Sequence, residues 1–407
     1  MKRVVVTGMA GISPLGNDLA QVLERLRAER NAIQRMAEWA DYEGLNTNLG
    51  APAAPFELPA NYTRKSTRSM GRVAVMAVRS AELALEQAGL LNDPLLQSGQ
   101  VGISYGSSSG TPDAIGDFGQ MLMNKSTSGI NANTYLKMMS HTAPVNMGVF
   151  FGVTGRMIPT SSACTSGSQG IGYAYEAIKF GRQVAMIAGG AEELSATQAA
   201  VFDTLFATSV RNDQPELTPR PYDRKRDGLV IGEGACTLIL EEREHAMARG
   251  ATIYAEIVGF GCNSDGTHVT QPNSETMCAA MQLSLQDADL QTEQIGYINA
   301  HGTATTHGDI AESHAVAKLF GQRTPMSSLK SYMGHTLGAC GALEAWMSIG
   351  MMHTDWYAPN INLDEVDPAC ADLDYIRQGG RNIKCEFTMS NNFAFGGINT
   401  SLIFKRP

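Results

Sequence analysis

Between Asp18 and Glu29 the apolar residues Leu19, Val22, Leu23 and Leu26 recur three and four apart, the stripe of a helix with one buried face. Arg72 to Gln87 is apolar almost all round and stops at Gly89, which predicts a helix covered on most sides. Asp309 to Phe320 reads as another helix, ended by Gly321. Between such segments lie short apolar runs of strand length: Val101–Tyr105, Val184–Ala188, Cys236–Leu240, Ile253–Val258, Ile295–Ala300, Phe387–Asn391 and Ser401–Phe404. At the N-terminus Arg3–Thr7 predicts a strand entering a glycine turn. Strands alternating with helices argue for an α/β fold whose sheets are covered on both faces. The most apolar stretch, Gly341–Met352, is short and holds Glu344, so no membrane span is expected.

A chain of 407 residues with 43% apolar and 17% charged residues has the material for two domains or two fused halves, divided near residue 250. The formal net charge of -9 argues against a general nucleic-acid surface. Seven cysteines, an odd number without a CxxC pair, argue against a disulfide framework or zinc site and for a reducing, cytoplasmic setting. The charged stretch Pro219–Asp227 reads as a surface loop.

One cysteine stands apart. In IPTSSACTSGSQGIG an apolar approach reaches Cys164, small residues follow, and a helix begins. At a helix N-terminus, free N–H groups and the macrodipole favour a thiolate by up to about 2 kcal/mol, roughly 1.5 pKa units, and the same N–H groups can hold an oxyanion. The expectation is a nucleophile with a lowered pKa. A fainter echo lies downstream. Ser161-Ser162-Ala163-Cys164 and Ser327-Ser328-Leu329-Lys330 each precede a Gly-rich helix, so two similar halves would bring two elbows to a shared centre. His301 ends a strand in YINAHGTATTHGD, where catalytic groups gather in open α/β sheets. Lys330 and His335 flank a glycine in SSLKSYMGHTLGACG. No HxH or HxxxH spacing occurs, so no metal is expected. In NNFAFGGINTSLIF, Gly396-Gly397 permits a tight turn beside Phe393 and Phe395.

Together, VVVTGMAGISPLG, SSACTSG, RPYDRKRDGLVIGEGA, NAHGTATTHGD and KSYMGHTLGACG resemble, over essentially the whole chain, the elongating β-ketoacyl-acyl-carrier-protein synthases. The resemblance implies a duplicated thiolase-like fold, a five-layer αβαβα sandwich, with halves 1–250 and 251–407. It implies decarboxylative condensation of a Cys164-bound acyl chain with a malonyl unit on acyl-carrier protein. No cofactor is implied beyond the phosphopantetheine that bears the substrates. His301 and His335 would bind the malonyl thioester and stabilise its enolate, with Lys330 organising the charges and Glu344 as its partner. Phe395 would be the gate whose N–H joins that of Cys164 in the oxyanion hole; Phe202 and Ser109 would shape the acyl pocket. The family's usual NSFGFGGTN is here NNFAFGGIN, and His307 stands where a small residue is usual. Ala394 should stiffen the gate, which hints at a specialised polyene or polyketide synthase.

Arg64, Lys65, Arg68 and Arg72 form a basic cluster on an acidic chain, suited to an acidic carrier protein. The family has basic residues at the first three; Lys125, Lys137 and Arg211 are weaker candidates. The resemblance implies a homodimer, with a heterodimer of related subunits as the variant. The alternative reading is a non-catalytic subunit that sets chain length for another synthase, but such subunits lack the nucleophile. Thiolases need a second catalytic cysteine, a role Cys340 suits poorly. Initiating synthases pair His with Asn. A cysteine hydrolase needs no Lys330 network.

Overall fold

The computed structural model describes all residues, 1–407. Ten strands form its main sheet: β1 (Val4–Ile12), β2 (Val101–Gly106), β3 (Met157–Thr160), β4 (Ala185–Glu192), β5 (Gly234–Glu242), β6 (Ala255–Ser264), β7 (Ile295–Asn299), β8 (Met326–Ser327), β9 (Phe387–Ala394) and β10 (Ile398–Lys405). Six helices matter for the site: α1 (Arg72–Ala88), α2 (Thr142–Phe151), α3 (Ser166–Lys179), α4 (Ser274–Ala288), α5 (Thr306–Phe320) and α6 (Cys340–Thr354). The sheet order is β8-β7-β9-β10-β6-β1-β5-β4-β2-β3. Cut between β6 and β1, it gives the same order twice, third–second–fourth–fifth–first. Helices follow the first, second and third strand of each set. The sets meet where Val4, Val5 and Val6 pair antiparallel with Ile257, Glu256 and Ala255.

Helix α1 covers β1, β5 and β4 on one outer face, and α4 covers β6 and β10 on the other. Helices α3 and α6 pack on each other and touch strands of both sets, so they form the middle of five layers, αβαβα. The largest apolar cluster, with Ile171, Tyr175, Leu343, Trp346 and Met347, fills this middle. Two smaller clusters lie under α1 and under α4 and α5. Every β1 residue is buried, as a strand between two covered faces requires.

Two expectations change. β1 does not end in a glycine turn at Thr7 but continues to Ile12. Gly8 is there for close approach: a Cβ would lie 2.2 Å from the Ala84 carbonyl oxygen of α1. Pro219–Asp227 is not a surface loop, because its charges are satisfied inside. Arg220 meets Asp223 at 3.1 Å, and Arg226 meets Asp367 at 2.6 Å and Asp309 at 3.5 Å. Only Arg224 and Lys225 face solvent.

Candidate active site

β3 delivers the chain to the elbow. Ala163 takes φ +50°, a costly conformation for a residue with a side chain, and a single 3₁₀ turn, Ala163–Thr165, leads into α3. The flanking hydroxyls hold this turn. Ser166 Oγ donates to the Ala163 carbonyl at 2.7 Å and accepts from the Ser162 N–H at 3.0 Å; Thr165 Oγ1 donates to the Ser162 carbonyl at 2.8 Å. Cys164 sits at the tip, 4% exposed.

A second elbow faces it. Leu337 has φ +46°, Leu337–Ala339 is again a single 3₁₀ turn, and α6 follows. The structural counterpart of Cys164 is therefore Gly338 and not Lys330, which corrects the register of the echo. Ser328–Thr336 is extra chain between strand and elbow, and it carries Lys330 and His335. The elbows touch: Cys340 Sγ donates to the Cys164 carbonyl at 3.2 Å. Glycine allows the approach, since a Cβ on Gly167, just past the first elbow, would lie 2.9 Å from the Gly338 carbonyl oxygen of the second.

His301 leaves the end of β7 in a loop pinned by two buried acids of α5. Glu312 accepts from the N–H groups of His301 and Gly302, both at 2.7 Å, and from the Tyr222 hydroxyl at 2.7 Å. Asp309 accepts from the N–H groups of Thr303 and Ala304 at 3.1 Å and of Tyr222 at 2.7 Å. His335 accepts at Nδ1 from the Leu337 N–H at 3.2 Å, which assigns its proton to Nε2. That Nε2 and the His301 Nδ1 are buried without partners. The rings stand 5.1 Å apart and nearly perpendicular. Ligand-type atoms of Cys164, His301 and His335 all lie within 4.8 Å of one another. Lys330, 1% exposed, meets Glu344 at 2.5 Å, and Asn392 Nδ2 donates to the other Glu344 oxygen at 2.7 Å.

Electrostatics at this centre depart from the elbow expectation. Burial pushes the Cys164 thiol up to about 11, against the Lys330 charge and the N–H groups of Phe395 and Cys164. Desolvation outweighs the helix dipole, so the resting group is a thiol, with roughly one part in 10⁴ as thiolate at pH 7. Burial, and then the Lys330 charge, hold both histidines well below the ordinary imidazole value, so both are neutral at pH 7. Burial works against the Lys330 ammonium, but Glu344 overcomes it and raises the lysine's pKa. By type, the thiol and imidazoles are also metal ligands. The Lys330 charge that depresses both imidazoles opposes a dication there.

The three groups open on a cavity of about 600 Å³ whose wall includes Phe202, Phe393 and Phe395. That volume lies within the range of small-molecule pockets. The Phe202 and Phe395 rings pack at 5.0 Å beside Cys164. Exposed His307 stands at the mouth. Ser109 is off this wall. It contacts Glu192 at 3.3 Å and Gln198 at 3.4 Å, because Glu192 gathers the polar groups around Ser108 and Gly338. Arg64, Lys65 and Arg68 are exposed on and beside the short helix Arg64–Thr67, and none forms an ion pair. Arg72 leaves that cluster for Glu233, at 2.7 and 2.8 Å. Arg211 is tied to Asp227 at 3.4 Å. Sequence reasoning missed Asp309, Glu312, Tyr222 and the Asn392 contact. The one available signal was a pair of acids three apart immediately after the glycine loop of His301.

Family models for the beta-ketoacyl synthase N-terminal and C-terminal domains match residues 1–246 and 254–364. The chain is 36% identical to a 3-oxoacyl-[acyl-carrier-protein] synthase 2 of Vibrio cholerae serotype O1, over 100% of this chain and 99% of that one. Among solved structures it is similar to a beta-ketoacyl synthase from Burkholderia phymatum, at 61% identity and TM-score 0.99, covering 100% of both chains. It is also similar to the ishigamide ketosynthase/chain length factor, at 29% identity and TM-score 0.90, covering 100% of this chain and 99% of that one.

Proposed function

The chain belongs to the beta-ketoacyl synthase family, and from that premise we propose that it joins an acyl group held on Cys164 to a malonyl unit delivered by a carrier protein. The observation that carries this reading is the thiol and two neutral imidazoles within 4.8 Å on one cavity. In the first half-reaction the Cys164 sulfur attacks the thioester carbonyl of an acyl-phosphopantetheine. The N–H groups of Cys164 and Phe395, which lower the thiol pKa at rest, suit the oxyanion that forms. The carbon–sulfur bond of the donor breaks, and the Cys164 proton leaves with the released thiol.

In the second, the malonyl thioester oxygen lies against His301 and the free Nε2–H of His335. The bond to the carboxylate breaks, carbon dioxide departs, and its electron pair forms an enolate. Neutral imidazoles suit this task, because they donate hydrogen bonds without first protonating the thioester. The enolate carbon then attacks the Cys164 thioester, and the sulfur leaves as thiolate and takes one proton from solvent, which balances the carboxylate charge lost with carbon dioxide. Phosphopantetheine carries both substrates, and every other group used belongs to the chain.

We read residues 1–250 and 251–407 as two copies of one ancestral unit; the identical strand order supports this. Exposed, unpaired Arg64, Lys65 and Arg68 would meet the acidic carrier. Seven free cysteines suit a cytoplasmic setting. A pair of such chains, alike or related, is the expected assembly. A non-catalytic chain-length subunit would not need the thiol and both imidazoles. Intact-mass analysis tests the reading: acyl-carrier protein should add one acyl group to Cys164, and malonyl-carrier protein should then yield a β-keto product and carbon dioxide. Absence of acylation would favour the partner-subunit role; acylation followed only by hydrolysis would favour a hydrolase. A panel of donors of different length and unsaturation then defines the product class.

A further inference from the structure

Glu344 is fully buried and both of its oxygens are occupied, one by Lys330 Nζ at 2.5 Å and one by Asn392 Nδ2 at 2.7 Å. Asn392 is fully buried near the end of β9, three residues before Phe395. Its own backbone is gripped from the nucleophile side. The Asn392 carbonyl accepts from Thr400 Oγ1 at 3.1 Å, and Thr400 meets Ser168 Oγ of α3 at 2.7 Å. Its amide also faces Cys340 Sγ at 3.6 Å. A carboxylate held at one oxygen can turn about its bond; one held at both cannot. We propose, resting on the condensing function above, that Asn392 is a positioning residue for decarboxylation, keeping Glu344 ionised and aligned on Lys330 so that one positive charge stays fixed behind the two imidazoles.

The charge environment is closed. Lys330 faces Glu344 from the Ser328–Thr336 segment, with Glu312 of α5 and the two histidines beyond it. Tyr297 and Asn299 of β7 and Cys340 of α6 complete the surroundings. Burial already raises the Glu344 pKa, against Lys330, Asn392 and Asn299. Loss of the Asn392 donor raises it further. Protonated Glu344 would leave a buried ammonium uncompensated, and the field on His301 and His335 would change.

Two variants give opposite signs. In Asn392→Leu, close in volume but without a donor, the acid limb of malonyl decarboxylation should move up by about one pH unit. That is the tenfold change one charge-assisted hydrogen bond supports. In Asn392→Asp, the two carboxylates can share a proton that replaces the lost hydrogen bond, so activity should survive at low pH and fall on the alkaline side. Cys164 acylation should fall less than decarboxylation in both variants, because the change reaches the thiol only indirectly, through the Lys330 charge. The assay is release of labelled carbon dioxide from malonyl-carrier protein between pH 5.5 and 9, with acylation followed by intact mass. A uniform loss with unmoved limbs, or no loss, overturns the positioning role while leaving the condensing function standing. A wild-type enzyme that neither acylates nor decarboxylates overturns both. If Asn392→Leu fails to fold, the isosteric Asn392→Asp profile decides alone.

Discussion

Replacing Lys330 with methionine keeps the buried stem and removes the charge, leaving Glu344 facing its neighbours alone. Both groups of the pair are essentially unexposed, so solvent screening does not soften the change. Breaking such a pair costs about 3–5 kcal/mol. The chain has one escape, which is to protonate Glu344. From an ordinary glutamate value of about 4.3, that costs about 4 kcal/mol at pH 7 but only about 1 kcal/mol at pH 5. The sign follows from linkage. In Lys330→Met the Glu344 pKa is higher folded than unfolded, so its contribution is fully present below the unfolded value and is lost as pH rises through the folded one. Wild-type Glu344 already carries part of this cost, its pKa being raised by burial, so the deficit relative to wild type should be at most about 4 kcal/mol at pH 7 and shrink toward about 1 or less at pH 5. For a chain of 407 residues about 1 kcal/mol corresponds to roughly 1 °C in Tm. Calorimetry at the two pH values should thus show a drop of up to about 4 °C at pH 7 falling to about 1 °C or less at pH 5. The double variant Lys330→Met/Glu344→Gln should lose the pH dependence. A Lys330→Met deficit equal at pH 5 and pH 7 would refute the reasoning, because Glu344 would then not be the charge left behind.

Alkylation of Cys164 by iodoacetamide, followed by peptide mass analysis, should accelerate about tenfold per pH unit from pH 7 to 10, since only thiolate reacts and the thiol titrates near 11; a plateau above pH 8 would contradict the buried-thiol account. Glu312→Ala removes the acceptor of the His301 and Gly302 N–H groups, two charge-assisted bonds of about 1.5–3 kcal/mol each. Its Tm should fall by several degrees, and decarboxylation should fall more than Cys164 acylation. Reversing Arg64, Lys65 and Arg68 to Glu should raise KM for carrier-borne acyl groups and flatten its salt dependence, with small pantetheine thioesters unaffected.

Much of this centre was legible as residue types in context. Cys164 and His301 each stand just past the end of a strand, in a turn rich in small residues, and Lys330 and His335 flank Gly334 in the segment that leads to the second elbow. Orientation was not legible. Asp309 and Glu312 open a helix in the manner of solvent-facing acids, yet both turn inward to hold a loop. Arg220 and Arg226 look like surface charges until their partners arrive from residues 309 to 367. Helix 142–151 carries no one-sided stripe because TAPVNMGVFF is apolar nearly all round, which leaves its length and orientation to the packing around it. The thiol's character was misjudged for a physical reason: a local dipole can be read from sequence, whereas the desolvation that outweighs it needs the packed surroundings.

Division of labour is tested most directly by a single turnover on enzyme preloaded with acyl-Cys164 and mixed with malonyl-carrier protein labelled in its free carboxylate. Wild type should release one labelled carbon dioxide per acyl group consumed. His301→Ala and His335→Ala should keep the acyl group on Cys164 while release slows by about 10²–10³, the usual loss for one oxyanion donor. Histidine variants that decarboxylate at the wild-type rate, or that cannot be acylated at all, would contradict it.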